Sequence, residues 1–459
     1  MKIIISGMGQ TGEMLADILA GSGHDVVVID NDHRKIEEIT NKYSVSGVCG
    51  SCISRQILLK AGADTADVIV ALTGIDEVNL MVCKLAAALG TRYQAARISQ
   101  PEISSEEKEL AGEFSVDFLI NPKMLTADMI LNQIGLPGKV KADAFFDNEA
   151  CMVRVKLEDG MLPQDTITLA GLRQFFDCDM LVGTVVREDK LYVPKGDFEI
   201  RTGDVIGIIG SRNNINSILQ VLGFKANKAN NIFIIGAGDI AYYLTGKLLE
   251  EGKKVTLLDR DIDICEEVLR AYPKASVCLA NGLKEEDLEK EGIADADVCI
   301  SLTGSDEHNL VTSLFAWSKG IPSILTKVGA VEYEKLLDKV SMDVTISPAK
   351  ITAAAIMGFI RNMAVFNEKG NDIRSITFLS DGKGEAIEFN VYDNSKCVDQ
   401  TIASLGKKIR KGVLLALIIR NGECIIPTGK TEILEGDRLV VISEKKDNKH
   451  LNTVDDIFK

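Results

Sequence analysis

Apolar and polar positions along this chain follow two rhythms, one that fits strands and one that fits helices. Residues 2–6 form a short apolar run around Ile3, Ile4 and Ile5 that enters a glycine-rich turn. Beyond the turn, Met14, Leu15, Ile18 and Leu19 recur at three- and four-residue spacing, so they share one face of a helix. Gly21 and Gly23 stop it. The pattern predicts further strands at 26–29, 46–49, 68–72, 94–98 and 116–120. Between them it predicts helices carrying Ile36 and Ile39, covering 57–61, and covering 76–89. Strands alternating with helices at this spacing imply a doubly wound parallel sheet.

The same order then recurs. Strands are expected at 232–235, 255–258, 298–302, 323–327 and 344–346. Ten of 15 positions are identical between 66–80 and 296–310. Gly7 corresponds to Gly236 and Asp30 to Asp259 in nearly the same register, so a whole domain is duplicated rather than a short motif. Asn121-Pro122 and Ser347-Pro348 close the two sheets. An amphipathic helix follows each, one carrying Met124, Leu125, Ile130, Leu131 and Ile134, the other Ile351, Ile356, Phe359, Ile360 and Met363. Such helices are candidate packing or dimerisation surfaces. Each large domain leads into a smaller one rich in β pattern, marked by Pro194 with Gly203-Asp204 and by Pro427 with Gly436-Asp437. Gly-Asp before a β-branched strand reads as a tight turn. The expected fold is α/β: tandem duplicated Rossmann-like doubly wound parallel sheets, each followed by a small α+β domain. The expected boundaries are 1–136, 137–226, 227–366 and 367–459, with linkers at 135–141, 225–231 and 367–373.

Composition narrows the classes. Aromatic residues make up only 5%, so the cores are mostly aliphatic, as parallel sheets usually are. A net charge of −15 excludes a basic nucleic-acid footprint and argues against electrostatic docking on anionic lipid. The longest apolar runs, such as 413–419, fall far short of the roughly 18 residues of a membrane helix. Met1-Lys2 leads directly into a strand, without a signal peptide pattern. The expected location is cytoplasmic, with any membrane role acting through a partner. The ten cysteines form no repeated framework and read as small core residues. Cys49 and Cys52 have CxxC spacing but no second ligand pair, so they read as two thiols near a strand end.

The chemistry concentrates at the turns. In Gly7-Met8-Gly9-Gln10-Thr11-Gly12, Gly7 allows the tight turn, Gly9 lets backbone approach a pyrophosphate, and Gly12 lets helix pack close to strand. The helix N-terminus offers unpaired N–H groups and a positive dipole end to phosphate. Asp30 is placed to accept hydrogen bonds from ribose hydroxyls, and its charge favours NAD(H) or another adenosine nucleotide over NADP(H). The second copy reads Gly236-Ala237-Gly238-Asp239-Ile240-Ala241, followed by Asp259. Asp239 stands where Gln10 does and puts a carboxylate beside the phosphate position, which predicts weaker binding there. Thr73-Gly74 and Thr303-Gly304 end the fourth strand of each copy, the edge where ligands sit in open α/β sheets. Asp76 and Asp306 read as helix N-caps. Arg97 and its counterpart Lys327 end the fifth strands as candidate phosphate cations, or as members of surface ion pairs. Four histidines show neither metal-ligand spacing nor a nucleophile–base signature.

These motifs together resemble one family, the Trk-system potassium uptake TrkA family, peripheral subunits with two regulator-of-potassium-conductance units. The carriers are the glycine turn, Asp30, the segment Leu72-Thr73-Gly74-Ile75-Asp76-Glu77-Val78-Asn79-Leu80, Arg97, their second-half counterparts and the two small Pro…Gly-Asp domains. The resemblance implies a cytoplasmic regulatory protein beneath a TrkH- or TrkG-type potassium-translocating membrane subunit. It implies binding of NAD(H) or ATP/ADP in the Rossmann clefts, and assembly into a ring, a homotetramer for chains with two units. Nucleotide binding would reshape the ring and gate the pore, with the small domains as regulatory modules. Carried over, Gly7, Met8, Gly9, Gln10, Thr11, Gly12, Asp30, Thr73, Gly74 and Arg97 form one site. Gly236, Ala237, Gly238, Asp239, Ile240, Asp259, Thr303, Gly304 and Lys327 form the other. Two other readings compete with this non-enzymatic sensor. An NAD-dependent oxidoreductase would need a larger substrate domain than roughly 90 residues and an evident proton donor. A scaffold without ligand would have no use for Gly7, Gly9, Gly12 and Asp30 together.

Overall fold

In the computed structural model the described residues are 1–459 except 101–106, 147–149, 165, 176–179, 225–228, 331–332, 334–335, 338–343, 366–372, 381, 445–450, 452 and 459. The first unit runs β1 (Lys2–Ser6), α1 (Gln10–Gly21), β2 (Asp25–Asp30), α2 (His33–Lys42), β3 (Ser46–Cys49), α3 (Arg55–Lys60), β4 (Val68–Ala71), α4 (Asp76–Leu89), β5 (Tyr93–Arg97), α5 (Glu107–Phe114), β6 (Phe118–Ile120) and α6 (Pro122–Gln133). Its strands lie in the order β3-β2-β1-β4-β5-β6, and every pairing is parallel. That is the doubly wound order, with the reversal between β1 and β4 opening a crevice at the strands' C-terminal edge. Ile3, Ile4 and Ile5 are all fully buried because the sheet carries helices on both faces, so successive side chains of β1 enter two different cores.

A smaller domain follows: β7 (Lys141–Phe146), β8 (Ala150–Lys156), β9 (Thr166–Thr168), α7 (Leu169–Phe175), β10 (Leu181–Arg187), β11 (Lys190–Tyr192), β12 (Glu199–Arg201), β13 (Val205–Ser211) and α8 (Arg212–Val221). Its antiparallel sheet is ordered β11-β10-β13-β8-β7. The second half repeats both parts. Its large unit is β14 (Asn231–Ile235), α9 (Asp239–Glu250), β15 (Lys254–Asp259), α10 (Ile262–Ala271), β16 (Ser276–Leu279), α11 (Glu285–Lys290), β17 (Val298–Ser301), α12 (Asp306–Ser318), β18 (Ser323–Lys327), β19 (Val344–Ile346) and α13 (Pro348–Val365). The order β16-β15-β14-β17-β18-β19 matches the first sheet. Its small domain contains β20 (Ile373–Leu379), β21 (Gly384–Asn390), β22 (Gln400–Thr401), α14 (Ile402–Leu405), β23 (Val413–Arg420), β24 (Glu423–Ile425), β25 (Glu432–Ile433) and β26 (Arg438–Glu444).

The expected Gly-Asp turns are present. Gly203 and Gly436 take φ of +91° and +81°, the left-handed region that favours glycine. The aspartates do more than turn. Asp204 is gripped by Arg187 through two bonds of 2.7 Å, and Asp437 by Arg420 at 2.7 and 2.8 Å. Such forked pairs satisfy a buried carboxylate at both oxygens. Within the two large sheets one strand, β16, was absent from the sequence pattern: it is a four-residue edge strand, and both its ends are exposed. Two of the expected linkers, 225–231 and 367–373, lie mostly outside the described residues.

The amphipathic helices after the sheets pack as expected, but each packs into the other half. Ala127 and Ile130 of α6, with Ile134 just beyond it, join Ile232, Ile234, Ala241, Leu244 and Leu248 of the second unit in one core. Ile356, Met357, Phe359 and Ile360 of α13 join Ile3, Ile5, Leu15 and Leu19 of the first, with Phe359 stacked on Phe118 at 4.9 Å. The small domains also share a core of Met152, Ile209, Leu417, Val440 and Ile442. A Cβ on Gly183 would lie 2.5 Å from Ile442, so glycine is what permits that approach. The two halves therefore form an intrachain pseudo-dimer. Among the described residues no helix is long and apolar enough to cross a membrane.

Candidate functional site

Each glycine turn sits in the crevice between β1 and β4, or between β14 and β17. Gly7 has φ +94°, and a Cβ there would lie 2.7 Å from the Thr73 nitrogen. A Cβ on Gly12 would lie 2.2 Å from the Gly7 carbonyl oxygen. A Cβ on Gly9 would meet nothing within 4 Å, so its open side faces the crevice rather than the protein. The three glycines thus separate into a turn, an approach surface and a helix–strand contact, as the motif requires. Gly236 at φ +99° and the open Gly238 repeat the first two roles, and Ala241 is buried at the third position. Gly9 and Gly238 are the N-caps of α1 and α9, and neither helix end has a side-chain cap. By contrast, Asp32, Asn121 and Ser211 cap α2, α6 and α8 with their side chains. Uncapped N–H groups at a helix start are the donors an anion can use.

Asp30 is a strut as well as a candidate ribose acceptor. Its carboxylate accepts from the Met8 amide at 2.7 Å and the Asp32 amide at 2.9 Å. Asp259 does the same with Ala237 and Asp261, at 2.8 and 3.0 Å. An ionised carboxylate offers about four acceptor positions, so two remain for ligand hydroxyls.

At the ends of β4 and β17 the structure adds residues that sequence reasoning passed over. Asn79 is fully buried. Its Oδ1 accepts from the Thr73 amide (2.9 Å) and hydroxyl (2.7 Å), and its Nδ2 donates to the carbonyls of Thr73 (3.1 Å) and Arg97 (2.9 Å). Asn309 makes the matching four bonds to Thr303 and Lys327. One buried amide thus ties the fourth strand's end to the fifth in each unit. The signal was its identity in both copies of the repeated segment.

The aspartates of that segment are not N-caps, which corrects the expectation. Ile75 and Ser305 hold the cap positions. Asp76, only 2% exposed, instead accepts from the Ser99 and Gln100 amides at 2.7 and 2.8 Å. Asp306 takes the Gly329 and Ala330 amides at 2.8 and 2.9 Å. Both therefore fasten the chain just beyond Arg97 or Lys327. Arg97 Nε donates to Ser99 at 3.1 Å. Burial lowers the Lys327 pKa, with Asp306 opposing.

Asp239 has a partner that the sequence did not indicate. Its carboxylate is paired with the ammonium of Lys123 on α6, so its charge is offset by a cation from the other half. Gln10, at the equivalent position, lies against Gly329 of the second unit, where a Cβ would sit 2.7 Å from its Nε2. Each glycine turn therefore touches the opposite unit. At the CxxC spacing, burial raises the Cys52 thiol, the opposite of what a reactive thiolate requires.

The chain matches the TrkA-N domain model over residues 3–122 and 232–348, and the TrkA-C domain model over 153–223 and 386–454. It is 30% identical to the Trk system potassium uptake protein TrkA of Vibrio alginolyticus, over 100% of this chain and 99% of the relative. It is 28% identical to the TrkA homolog of Archaeoglobus fulgidus over the full length of both. The fold matches the GsuK RCK domain with a TM-score of 0.60 at 18% identity, covering 98% of this chain and 93% of that one. The GsuK channel bound to NAD matches with a TM-score of 0.60 at 17% identity, over 98% of this chain and 77% of that one. Two TrkA-N and TrkA-C pairs in tandem, with full-length similarity to named TrkA proteins, place the chain in the Trk-system potassium uptake TrkA family.

Proposed function

We propose that this protein is the nucleotide-sensing regulatory subunit of a Trk-type potassium uptake system, acting by binding rather than turnover. It works at the cytoplasmic face of the membrane on a TrkH- or TrkG-type potassium-translocating subunit. NAD(H) or ATP/ADP occupies the crevice of each large unit. The pyrophosphate lies on Gly7–Thr11 or Gly236–Ile240, and the ribose on Asp30 or Asp259. Thr73, Gly74 and Arg97, or Thr303, Gly304 and Lys327, close the far side. The observation that carries the reading is the pair of open, side-chain-uncapped glycine turns, each braced by its aspartate. Chains assemble into a ring, a homotetramer, and differential affinity of nucleotide for two ring shapes biases the pore. The four domains divide at 1–136, 137–226, 227–366 and 367–459.

Calorimetric titration of NADH, NAD, ATP and ADP, repeated with Asp30→Asn and Asp259→Asn, tests the reading. Binding that weakens in one or both variants supports it. Absence of binding by the wild type at millimolar nucleotide, or sustained NADH oxidation with a substrate, rejects it.

A further inference from the structure

The fourth position of each glycine turn reaches out of its own unit, and the two copies solve that position differently. In the second copy it is Asp239, in the first turn of α9. Its carboxylate meets the Lys123 ammonium, which belongs to the first half and lies in the first turn of α6. Burial and the charge of Arg97 lower the Lys123 pKa, with Asp76 opposing. Its position is fixed by the packing beneath it. Asn121 caps α6 through the Lys123 and Met124 amides and donates to the Tyr243 hydroxyl at 3.1 Å. Farther along the same contact, Lys247 pairs with Asp128 at 2.9 Å. Ala127 and Ile130 seal the contact with apolar surface. In the first copy the position is the uncharged Gln10, resting on Gly329.

An unpaired carboxylate at Asp239 would set a negative charge in the helix turn that must receive phosphate, and like charges at that range oppose each other. We infer that Lys123 is a binding residue of the second cleft, supplied by the first half: it cancels Asp239 and so lets the α9 glycine turn accept a nucleotide pyrophosphate. The first cleft has a neutral residue at this position and needs no such cation. Affinity in the second cleft therefore depends on how the two halves are packed, and affinity in the first does not depend on it in the same way. This asymmetry rests on the nucleotide-binding reading above.

The test isolates the second cleft by Gly9→Ala, which puts a methyl group on the open phosphate side of the first turn. ADP and NADH are titrated calorimetrically into this protein, and into the same background with Lys123→Ala, Asp239→Gln, or both. Melting curves check that each variant is folded. Lys123→Ala is expected to weaken binding about tenfold, the effect of losing one close charge partner. Asp239→Gln alone leaves binding as tight or tighter. The double variant, with neither charge, returns to within about twofold of the background protein. That rescue separates neutralisation from a tie between the halves, because a tie would stay broken in the double variant. Unchanged affinity in Lys123→Ala, or a double variant as weak as Lys123→Ala, overturns the inference while leaving nucleotide binding standing. Absence of binding to the wild-type protein instead removes the functional reading and this inference with it.

Discussion

At the scale of single residues, the two copies distinguish side chains that hold the crevice from those that leave it open. Asn79 is of the first kind: it serves two donors and two acceptors from full burial. Truncating it leaves the Thr73 amide and the carbonyls of Thr73 and Arg97 without these partners. Each such buried group costs about 1–3 kcal/mol, so Asn79→Ala is expected to lower the unfolding free energy by about 3 kcal/mol in urea titration. A loss below about 1 kcal/mol would mean that the strand ends are not fastened through this amide. Gly9 is of the second kind. Its φ of −87° suits any residue, and an added methyl meets nothing. Gly9→Ala is therefore expected to melt within about 0.5 kcal/mol of the wild type yet to lose nucleotide binding in the first cleft. Retained affinity would mean that the pyrophosphate does not approach this backbone.

At the scale of elements, most of the architecture was legible, and what escaped has a physical pattern. The limits of β3, α4, β18 and β19 coincide with the residues the periodicity marks, because continuous apolar runs and heptad-like spacing are local signals. The glycine turn was legible for the same reason, since one loop carries its geometry, and Asp30 was legible from its place at the end of β2. β16, a four-residue edge strand with both ends exposed, escaped. Asp76 was misassigned because its partners, the Ser99 and Gln100 amides, lie beyond the next strand. The periodicity also exposed the apolar faces of α6 and α13 without indicating what they meet, because amphipathicity specifies burial and not a partner. Their crossing into the opposite halves makes a prediction. Phe359, nearly buried and stacked on Phe118, belongs to α13 but fills the first unit's core. Phe359→Ala is expected to cost about 3–5 kcal/mol and to destabilise both large units together. Hydrogen exchange should show faster amides in β1 as well as in α13. Loosening confined to residues after 348 would argue that the halves are not energetically joined there.

At the scale of the whole molecule, pairing of the two halves satisfies α6 and α13 but leaves a second set of apolar surfaces uncovered. On α12, Val311, Leu314 and Trp317 are 52%, 47% and 64% exposed, at three-residue steps along one side of the helix. Its counterpart α4 exposes Met81, with Ile75 exposed just before it. Isolated apolar residues on a surface need no explanation, but a row including the chain's single tryptophan is a candidate contact surface. Under the assembly proposed above, the expected occupant is another copy of this chain. The matching positions of α4 are Met81, Lys84 and Ala87, so the full apolar row belongs to the second unit alone. The charge balance agrees, because a chain of net −15 associates more readily through apolar surface than through its like-charged exterior. Leu314→Glu with Trp317→Glu should leave circular dichroism nearly unchanged, since within one chain both side chains face solvent, and should lower melting only by what assembly contributes. Light scattering at micromolar protein should then report a lower mass than the wild type, approaching that of a single chain. Nucleotide should still bind, because neither residue touches a glycine turn, but any cooperativity between chains should vanish. A wild type that is already a single chain, or a variant of undiminished mass, would exclude this face from the assembly and direct the search for a ring contact to other surfaces.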